Sequence, residues 1–228
     1  MRRAAAFTRF LAACLAASLF ASATLASAQQ APATAIRLPE PRRQGPMSLE
    51  AALWARHSTR TFTRDSIALA DIGQLLWAAQ GVNRPDGHRT APSAGGTYAL
   101  ETYLIAERVP GLAPGTYRYL PAGHTLERAA DARLSDLLTT ARQTWIGDAA
   151  AVVVLAGVYE RAQRFGERAQ QFVPIEAGLA AQNLYLQAAA LGLGTTYVGS
   201  FSDTALARIL ALPAGERPLG VLPIGKPR

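Results

Sequence analysis

The sequence predicts one α+β domain in which helices pack on a central, mostly antiparallel sheet. Half of the 228 residues are apolar and 17% are charged, which is typical of a globular chain with a well-buried core. Segments with helical and strand-like patterns alternate along the chain, and no internal repeat interrupts them. This alternation indicates the α+β class. Two short strand-like segments joined by a predicted turn support the same class.

Residues 1–28 have the pattern of a signal peptide. Three arginines precede an uncharged stretch rich in Ala and Leu, which ends in the small-residue cleavage pattern Ala26-Ser27-Ala28. We therefore expect cleavage after Ala28 and a periplasmic or secreted mature protein without a stable membrane span. Two alternatives stay open: a lipoprotein site at Cys14, and a retained anchor over residues 10–28, close to the ~20 residues that a span requires.

Charge and cysteine content exclude several functions for the mature chain. Removal of the leader and its three arginines lowers the formal charge from +7 to +4, which does not indicate nucleic-acid binding. Cys14 is the only cysteine, so the mature chain has no disulfide, thiolate metal site or cysteine nucleophile. The three histidines lie far apart in the sequence without partners at ligand spacing, so we expect no metal centre.

The first elements follow a proline-rich segment. Residues 29–46 carry four prolines and no apolar periodicity, so we expect a flexible lead-in. The folded domain is expected to span residues 47–228. Ser48 is the predicted N-cap of a first helix that reaches residue 56, and apolar spacing predicts a second helix over residues 70–80.

The remaining elements complete the predicted sheet and its helices. Strands are predicted at residues 100–106, 115–120, 125–129, 149–159, 194–201 and 219–224. Helices are predicted at residues 134–144, 176–191 and 204–210. The helix over residues 176–191 is apolar on nearly every side, so it must be covered all round. In a chain of this length, a second subunit is the expected cover.

Three segments contain candidate binding chemistry. In residues 56–60, two arginines and a serine can converge on a phosphate, although such residues also complement a helix end. Residues 89–98 include adjacent small residues that let the backbone approach a flat ligand, but an ordinary loop has the same composition. Residues 174–178 open the predicted helix, where free N–H groups favour an acceptor, although simple helix initiation explains them equally.

Common nucleotide and hydrolase motifs are excluded. Residues 220–226 have the glycine and lysine spacing of a P-loop, but Pro227 replaces the required Ser or Thr. Gly192-Leu193-Gly194 follows a predicted helix, which is the reverse of the dinucleotide-binding order. The nucleophile motif G-x-S-x-G of serine hydrolases is also missing.

Five motifs occur in the order found in the nitroreductase-like flavoprotein family. They are Arg-x-Ser-x-Arg at 56–60, Pro-Ser-Ala-Gly-Gly-Thr-Tyr at 92–98, Pro-Ile-Glu-Ala-Gly at 174–178, Gly-Leu-Gly-Thr-Thr-Tyr-Val-Gly at 192–199 and Ile-Gly-Lys-Pro-Arg at 224–228. The chain resembles this family over about residues 47–228. Its second and third motifs look most like the branch that contains the azoline dehydrogenases of thiazole and oxazole peptide maturation.

The resemblance implies an FMN-dependent oxidoreductase built as an intertwined homodimer, with residues 56–60 and the C-terminal basic pair at the phosphate. It places residues 92–96 beside the isoalloxazine ring and the backbone of Glu176 and Ala177 opposite flavin N5 and O4. The cofactor-binding residues that it implies are Arg56, His57, Ser58, Arg60, Pro92, Ser93, Ala94, Gly95, Gly96, Glu176, Ala177, Gly199, Lys226 and Arg228. No side chain is identified as a catalytic proton donor.

The function implied is two-electron transfer by a ping-pong mechanism, with hydride arriving at flavin N5 before an acceptor takes the electrons. The substrate is a small molecule or a peptide. Two alternatives stay open: an azoline dehydrogenase acting on a modified peptide, and a non-catalytic flavin-binding protein.

Overall fold

The computed structural model describes residues 35–140 and 143–228, so the predicted signal peptide and Cys14 lie outside the described residues. Within these residues, seven strands form one sheet. The strands are β1 (Ile36–Arg37), β2 (Leu100–Ala106), β3 (Gly115–Leu120), β4 (Thr125–Ala130), β5 (Ala151–Val158), β6 (Gly194–Thr195) and β7 (Glu216–Gly225). Their order is β1-β4-β3-β2-β5-β7-β6, and every neighbouring pair is antiparallel. The predicted α+β class is confirmed.

Helices cover both faces of this sheet. They are α1 (Leu49–Ala55), α2 (Leu69–Gln80), α3 (Leu134–Leu137), α4 (Ala169–Ala190) and α5 (Asp203–Ile209). Helices α2 and α4 pack on one face, and α3 and α5 pack on the other. None of the helices in the described residues has the length and apolarity needed to cross a membrane.

The central strand β5 explains the two-sided core. Successive side chains of a strand point to opposite faces, and Val153 faces the α2 and α4 side whereas Val152 and Val154 face the α3 and α5 side. Because both faces are covered, the strand is a continuous apolar run rather than an alternating one.

Two predicted elements are shorter in the structure. The helix predicted over residues 134–144 ends at Leu137, and a 3₁₀ segment follows at Thr144–Asp148. The strand predicted over residues 194–201 is reduced to β6, and Val198 then makes an isolated bridge to Val221 in β7. For the strand, backbone pairing with β7 is available at only a few positions.

Helix α4 begins at Ala169 rather than at residue 176. Pro174 suggested a helix start because proline is favoured in the first turn, but Ala169 and Val173 are buried, and their packing extends the helix past the proline. Glu176 and Ala177 therefore lie inside the helix, where backbone N–H groups are used by the helix itself. The prediction that these two residues stand at a helix N-terminus, with free N–H groups, is wrong.

Residues 35–46 pack against the domain instead of forming a flexible lead-in. Strand β1 pairs with β4, and Leu38 is buried in the core. The Gln74 side chain of α2 holds the next stretch: its Oε1 accepts the Arg42 backbone N–H at 2.7 Å, and its Nε2 donates to the Arg42 carbonyl at 3.1 Å. The proline-rich composition gave no sign of this contact, because the partner lies on a distant helix.

Candidate functional site

The segment 56–60 leaves α1 and runs along β6. The Thr59 N–H donates to the Thr195 carbonyl at 2.9 Å, and Ser58 forms a parallel bridge with Thr195. The two backbones approach closely at Gly194, where an added Cβ would lie 2.6 Å from the Thr59 Cγ2. The glycine of β6 therefore allows this segment to lie against the sheet.

The end of the chain runs beside the same segment. The Arg228 N–H donates to the Thr61 carbonyl at 3.2 Å, and the Thr63 N–H donates to the Lys226 carbonyl at 2.9 Å. Backbone pairing thus brings the two basic motifs together, although 165 or more residues separate them in sequence. We call this group the basic edge; it consists of Arg56, Ser58, Arg60, Lys226 and Arg228.

A small cavity of about 160 Å³ lies at the basic edge. It is lined by residues that include Arg56, His57, Thr59, Tyr185, Thr195 and Pro227. The Tyr185 hydroxyl, from α4, accepts the Tyr197 N–H at 2.6 Å and lies 3.5 Å from the Ser58 Oγ. The Thr195 hydroxyl is buried and has no hydrogen-bond partner among the described residues.

The charge of the basic edge is largely uncompensated. No carboxylate of the described residues makes an ion pair with Arg56, Arg60 or Arg228. Lys226 Nζ lies 3.7 Å from Asp65 Oδ2, and both side chains are exposed. Arg56 lies over the Tyr185 ring, 5.6 Å from its centre, and guanidiniums without carboxylate partners form a donor set suited to an anion with several oxygens.

The loop over residues 92–98 is shaped by two glycines. Gly95 and Gly96 have φ values of 55° and 67°, a conformation that favours glycine. Arg164, from the 3₁₀ segment Tyr159–Arg168, donates to the Gly95 carbonyl, and a Cβ at Gly95 would lie 2.0 Å from that guanidinium. Apart from its chain neighbours, no atom of the described residues lies within 4 Å of a Cβ built at Gly96, so the loop is open there.

Glu176 joins α4 to this loop through Ser93. The Ser93 Oγ donates to the Glu176 Oε2 at 2.6 Å and accepts the Tyr98 N–H at 2.8 Å. Glu176 is only 3% exposed, and its Oε1 is buried with no hydrogen-bond partner among the described residues. Burial raises the pKa of Glu176, and the hydrogen bond from Ser93 offsets this only in part.

Charged residues surround the Ser93–Glu176 contact. The Arg89 guanidinium lies 4.6 Å from the centre of the Tyr98 ring, and Arg161 donates to the Tyr98 carbonyl at 3.0 Å. Arg161 also pairs with the buried Glu101. Burial by itself would raise the pKa of Glu101, but hydrogen bonds from Arg118 and Arg161 outweigh it and lower that pKa.

A second cavity, of about 370 Å³, opens against the loop and is called the loop cavity below. It is lined by Asn83, Arg84, His88, Arg89, Thr90, Ala91, Pro92, Ser93, Gly96 and Tyr98. This volume is within the range of small-molecule sites. Its lining contains Ser93 but not Glu176, whose carboxyl contacts the Ser93 hydroxyl.

Both groups of predicted residues contact α4. Glu176 meets the loop, and Tyr185 meets the basic edge nine residues further on, which is about 13–14 Å along a helix axis. Helix α4 therefore connects the predicted ring site and the predicted phosphate site within one chain.

Ala177 and Gly199 are not brought into either group, whereas His57 lines the small cavity at the basic edge. Ala177 is buried in the core on the α2 side, and Gly199 is exposed after Val198 without a described contact to the other candidates. His57 is exposed, and its Nδ1 lies 3.0 Å from the Ala55 carbonyl. In the described residues, no group of three or more His, Cys, Asp or Glu side chains is arranged to hold a metal ion.

Sequence reasoning missed three residues at these sites. Thr195 and Tyr185 line the small cavity, and Arg164 supports the loop. Thr195 belongs to a quoted motif, so its hydroxyl could have been singled out. Arg164 lies in a 3₁₀ segment outside every motif, and nothing in the sequence pointed to it.

Comparison with known proteins agrees with this fold and motif order. Residues 53–226 match the nitroreductase family. A nitroreductase homologue from Methanocaldococcus jannaschii is 38% identical over 183 residues, which cover 79% of this chain and 91% of that protein. The crystal structure of a nitroreductase homologue from Ralstonia eutropha JMP134 is 35% identical with a TM-score of 0.75, over 86% of this chain and 93% of that chain.

A more distant similarity involves the Escherichia coli microcin synthetase McbBCD complex with truncated pro-MccB17 bound. A chain of that complex is 24% identical with a TM-score of 0.65, over 74% of this chain and 67% of that one, which shows a shared fold. The fold and the site define a nitroreductase-like oxidoreductase. The chain belongs to the nitroreductase family, as its five motifs predicted.

Proposed function

We propose that the chain is an FMN-dependent oxidoreductase that transfers two electrons. The observation that carries this proposal is the backbone pairing at the basic edge: Thr61, which follows Arg60, pairs with Arg228, and no carboxylate of the described residues makes an ion pair with either arginine. A phosphate group supplies the charge and the acceptor oxygens that such donors bind. Thr195 lines the small cavity at the same edge, and its buried hydroxyl has no hydrogen-bond partner in the described residues.

The residues of the chain fit the rest of FMN as well. Gly96 leaves open space at the loop, where a flat ring can approach the backbone. When bound, FMN supplies hydride transfer and lets donor and acceptor react in turn. The basic edge then holds the phosphate, while the loop and Glu176 shape the surroundings of the reacting ring.

The visible spectrum of the purified protein tests the cofactor. We expect a flavin spectrum, with FMN identified by mass after denaturation, or stoichiometric FMN binding by the protein freed of cofactor. Anaerobic addition of a hydride donor should bleach the spectrum, and a quinone or nitroaromatic compound should restore it. Failure to bind FMN in either form would refute the proposal.

Steady-state kinetics separates the enzyme from the non-catalytic alternative. A ping-pong mechanism predicts parallel double-reciprocal lines when donor and acceptor are varied together. Tight FMN binding without reduction by any of several donor classes would instead support a flavin-binding protein.

We further propose that the protein is a homodimer. Ile175 and Leu179 form an exposed apolar stripe on α4, and Trp54 of α1 is 94% exposed. Helix α1 packs against α4, and its residues Leu49 and Leu53 are exposed as well. Apolar surface on two adjacent helices favours burial against a second copy.

Export is proposed from the N-terminal pattern alone. Cleavage after Ala28 would leave Gln29 as the first residue of the mature chain. Intact-mass measurement of the exported protein tests this. Retention of Met1, or a lipid on Cys14, would contradict it.

An azoline dehydrogenase is the second candidate function. Its support is the pair of motifs at residues 92–98 and 174–178, together with a fold shared with a chain of a microcin synthetase complex that binds a peptide precursor. The test is oxidation of a synthetic thiazoline peptide to the thiazole, which mass spectrometry detects as the loss of two hydrogens. A neighbouring cyclodehydratase gene would add support.

A further inference from the structure

We propose that Glu176 and Ser93 form a proton-holding pair that serves the loop cavity, with Glu176 as a positioning residue that acts through the Ser93 hydroxyl. Supply of a proton to an acceptor during turnover rests on the proposed oxidoreductase function. The pair itself is defined by contacts within this chain.

The arrangement places a buried carboxyl in contact with the hydroxyl of a cavity-lining serine. Glu176 Oε2 lies 2.6 Å from the Ser93 Oγ, and Ser93 lines the loop cavity whereas Glu176 does not. Glu176 Oε1 is buried without a partner in the described residues. Leaving a charged oxygen unpaired and away from water is costly, and a proton on the carboxyl removes that charge.

The Ser93–Glu176 pair can adopt two hydrogen-bond arrangements. With Glu176 ionised, Ser93 donates to the carboxylate while accepting the Tyr98 N–H at 2.8 Å. With Glu176 protonated, the carboxyl donates to Ser93, and the Ser93 proton turns towards Thr97 Oγ1, 3.4 Å away, or towards a molecule in the cavity. Reversal of the bond therefore moves one proton from the buried carboxyl to the cavity.

The step transfers one proton and no electrons. The O–H bond of Glu176 breaks as Ser93 gains that proton, and the original Ser93 proton bonds to the molecule in the cavity. With FMN bound, a neutral organic acceptor that gained a hydride would become an anion and would need such a proton. A proton from solvent then returns by the reverse path: Ser93 Oγ takes it from the cavity side and passes its own proton to the Glu176 carboxylate.

The surroundings keep the carboxyl able to release its proton. Burial raises the pKa of Glu176, while the Ser93 hydrogen bond, the attraction of the nearby Ala99 N–H dipole and the charges of Arg89 and Arg161 oppose that rise. Glu101 faces the same region and is ionised by its own arginine partners, and the Tyr98 hydroxyl accepts the Arg89 backbone N–H. Apart from Glu176 and Tyr185, α4 carries no titratable side chain.

Infrared titration of the protein without cofactor tests the pair independently of FMN. We expect the band of one protonated carboxyl to disappear as pH rises, and we expect Glu176→Gln to lack it. In Ser93→Ala the band should persist to higher pH, because the bond that lowers this pKa is lost, and Ser93→Thr should restore the parent transition. Glu160→Gln, which removes an exposed carboxyl, is the matched control.

Stability measurements give a second readout with a defined sign. Because burial raises the pKa of Glu176 in the folded state above its ordinary value, its contribution to stability is complete at pH below that ordinary value and declines as pH rises through the folded-state pKa. Glu176→Gln should remove this decline from the free energy of unfolding. The proposed pair would be contradicted if the free energy of unfolding declined with pH equally in the parent and in Glu176→Gln. It would also be contradicted if the infrared transition of Ser93→Ala were not shifted from that of the parent.

The acceptor half-reaction tests the role in turnover. With FMN affinity retained, Ser93→Ala should slow reoxidation by an organic acceptor on the order of a hundred-fold, and Ser93→Thr should recover most of the rate. A parent-like pH profile of reoxidation in Glu176→Gln would show that the contact is only structural. Because the infrared titration needs no flavin, loss of FMN binding would contradict the proposed function without removing the evidence for the pair.

Discussion

At the scale of single residues, the basic edge depends on side chains that the chain leaves without carboxylate partners. Arg60 follows Thr59, whose backbone is held by β6, so its position is set by main-chain pairing rather than by its own contacts. Its charge is therefore available to a ligand while the fold does not depend on it. Ser93 and Glu176 differ, because each has a partner within the chain.

Arg60→Ala should weaken FMN binding about ten- to a hundred-fold, because one charge-assisted hydrogen bond to phosphate is lost. The melting temperature of the cofactor-free protein should stay close to that of the parent, since Arg60 is exposed. Fluorescence titration with FMN measures the affinity. Arg43→Ala, which removes an exposed arginine outside the basic edge, is the control, and equal affinities for the two variants would contradict the assignment.

At the scale of elements, short pairings position the site. Strand β6 has only two residues, yet it aligns the 56–60 segment, and the end of β7 leads into the C-terminal basic residues. At the opposite edge of the sheet, β1 is equally short and ties residues 35–46 to β4.

Gly194→Ala should destabilise the domain and weaken FMN binding together. The new Cβ would lie 2.6–2.8 Å from three atoms of the Thr59 side chain, which is buried and cannot swing away, so segment 56–60 must shift. Overpacking of this kind costs roughly 1–3 kcal/mol. Urea unfolding and FMN titration measure the two effects.

The control for Gly194→Ala is Gly123→Ala, in the turn between β3 and β4. The nearest atoms to a Cβ at Gly123 belong to Thr125 and lie at 3.5 Å, an ordinary contact. This variant should change the free energy of unfolding by less than about 0.5 kcal/mol. Comparable losses in the two variants would contradict the special role of the approach at Gly194.

Removal of residues 29–46 should lower the stability of the domain. The loss includes the burial of Leu38, which contributes about 1.5–3 kcal/mol, and the two bonds between Gln74 and the Arg42 backbone. Denaturant unfolding of chains that begin at Gln29 and at Met47 measures the difference. Leu38→Ala in the longer chain should reproduce part of it, and equal stability of the two chains would show that the segment is dispensable.

At the scale of the whole molecule, the exposed apolar surface lies on the α1 and α4 side, whereas the α3 and α5 side carries a covered core cluster. This asymmetry agrees with the proposal that α1 and α4 meet a second copy. A partner on that side would also cover the part of α4 that the sequence predicted must be buried.

Trp54→Lys should convert the proposed dimer into a monomer or weaken it strongly. Trp54 is 94% exposed in the single chain, so its replacement should leave the fold intact. Light scattering after size-exclusion chromatography measures the mass over a range of protein concentrations. Thr204→Lys adds the same charge on α5 and should leave the mass unchanged; a monomeric parent protein would contradict the dimer itself.

Local patterns predicted those elements whose signals are carried by a few neighbouring residues. The bounds of β2 were predicted from its apolar run, and the Ser48 N-cap of α1 is confirmed by its bond to the Ala51 N–H. The hairpin of β3 and β4 followed from turn residues between two strand-like runs. Strand β1 was missed, because its stability comes from pairing with β4 far along the chain.

The sequence by itself determined the family, the α+β class and the residue types of the basic edge, because motif order and apolar periodicity are properties of the chain alone. The tertiary structure decided which atoms of those motifs face each other. Burial of Ala169 and Val173 moved the start of α4 ahead of Glu176, so its backbone is used by the helix and its carboxyl meets Ser93. A helix end is set by packing as well as by local signals, and packing prevailed here because the energy of burying that turn exceeded the cost of one hydrogen bond lost at Pro174.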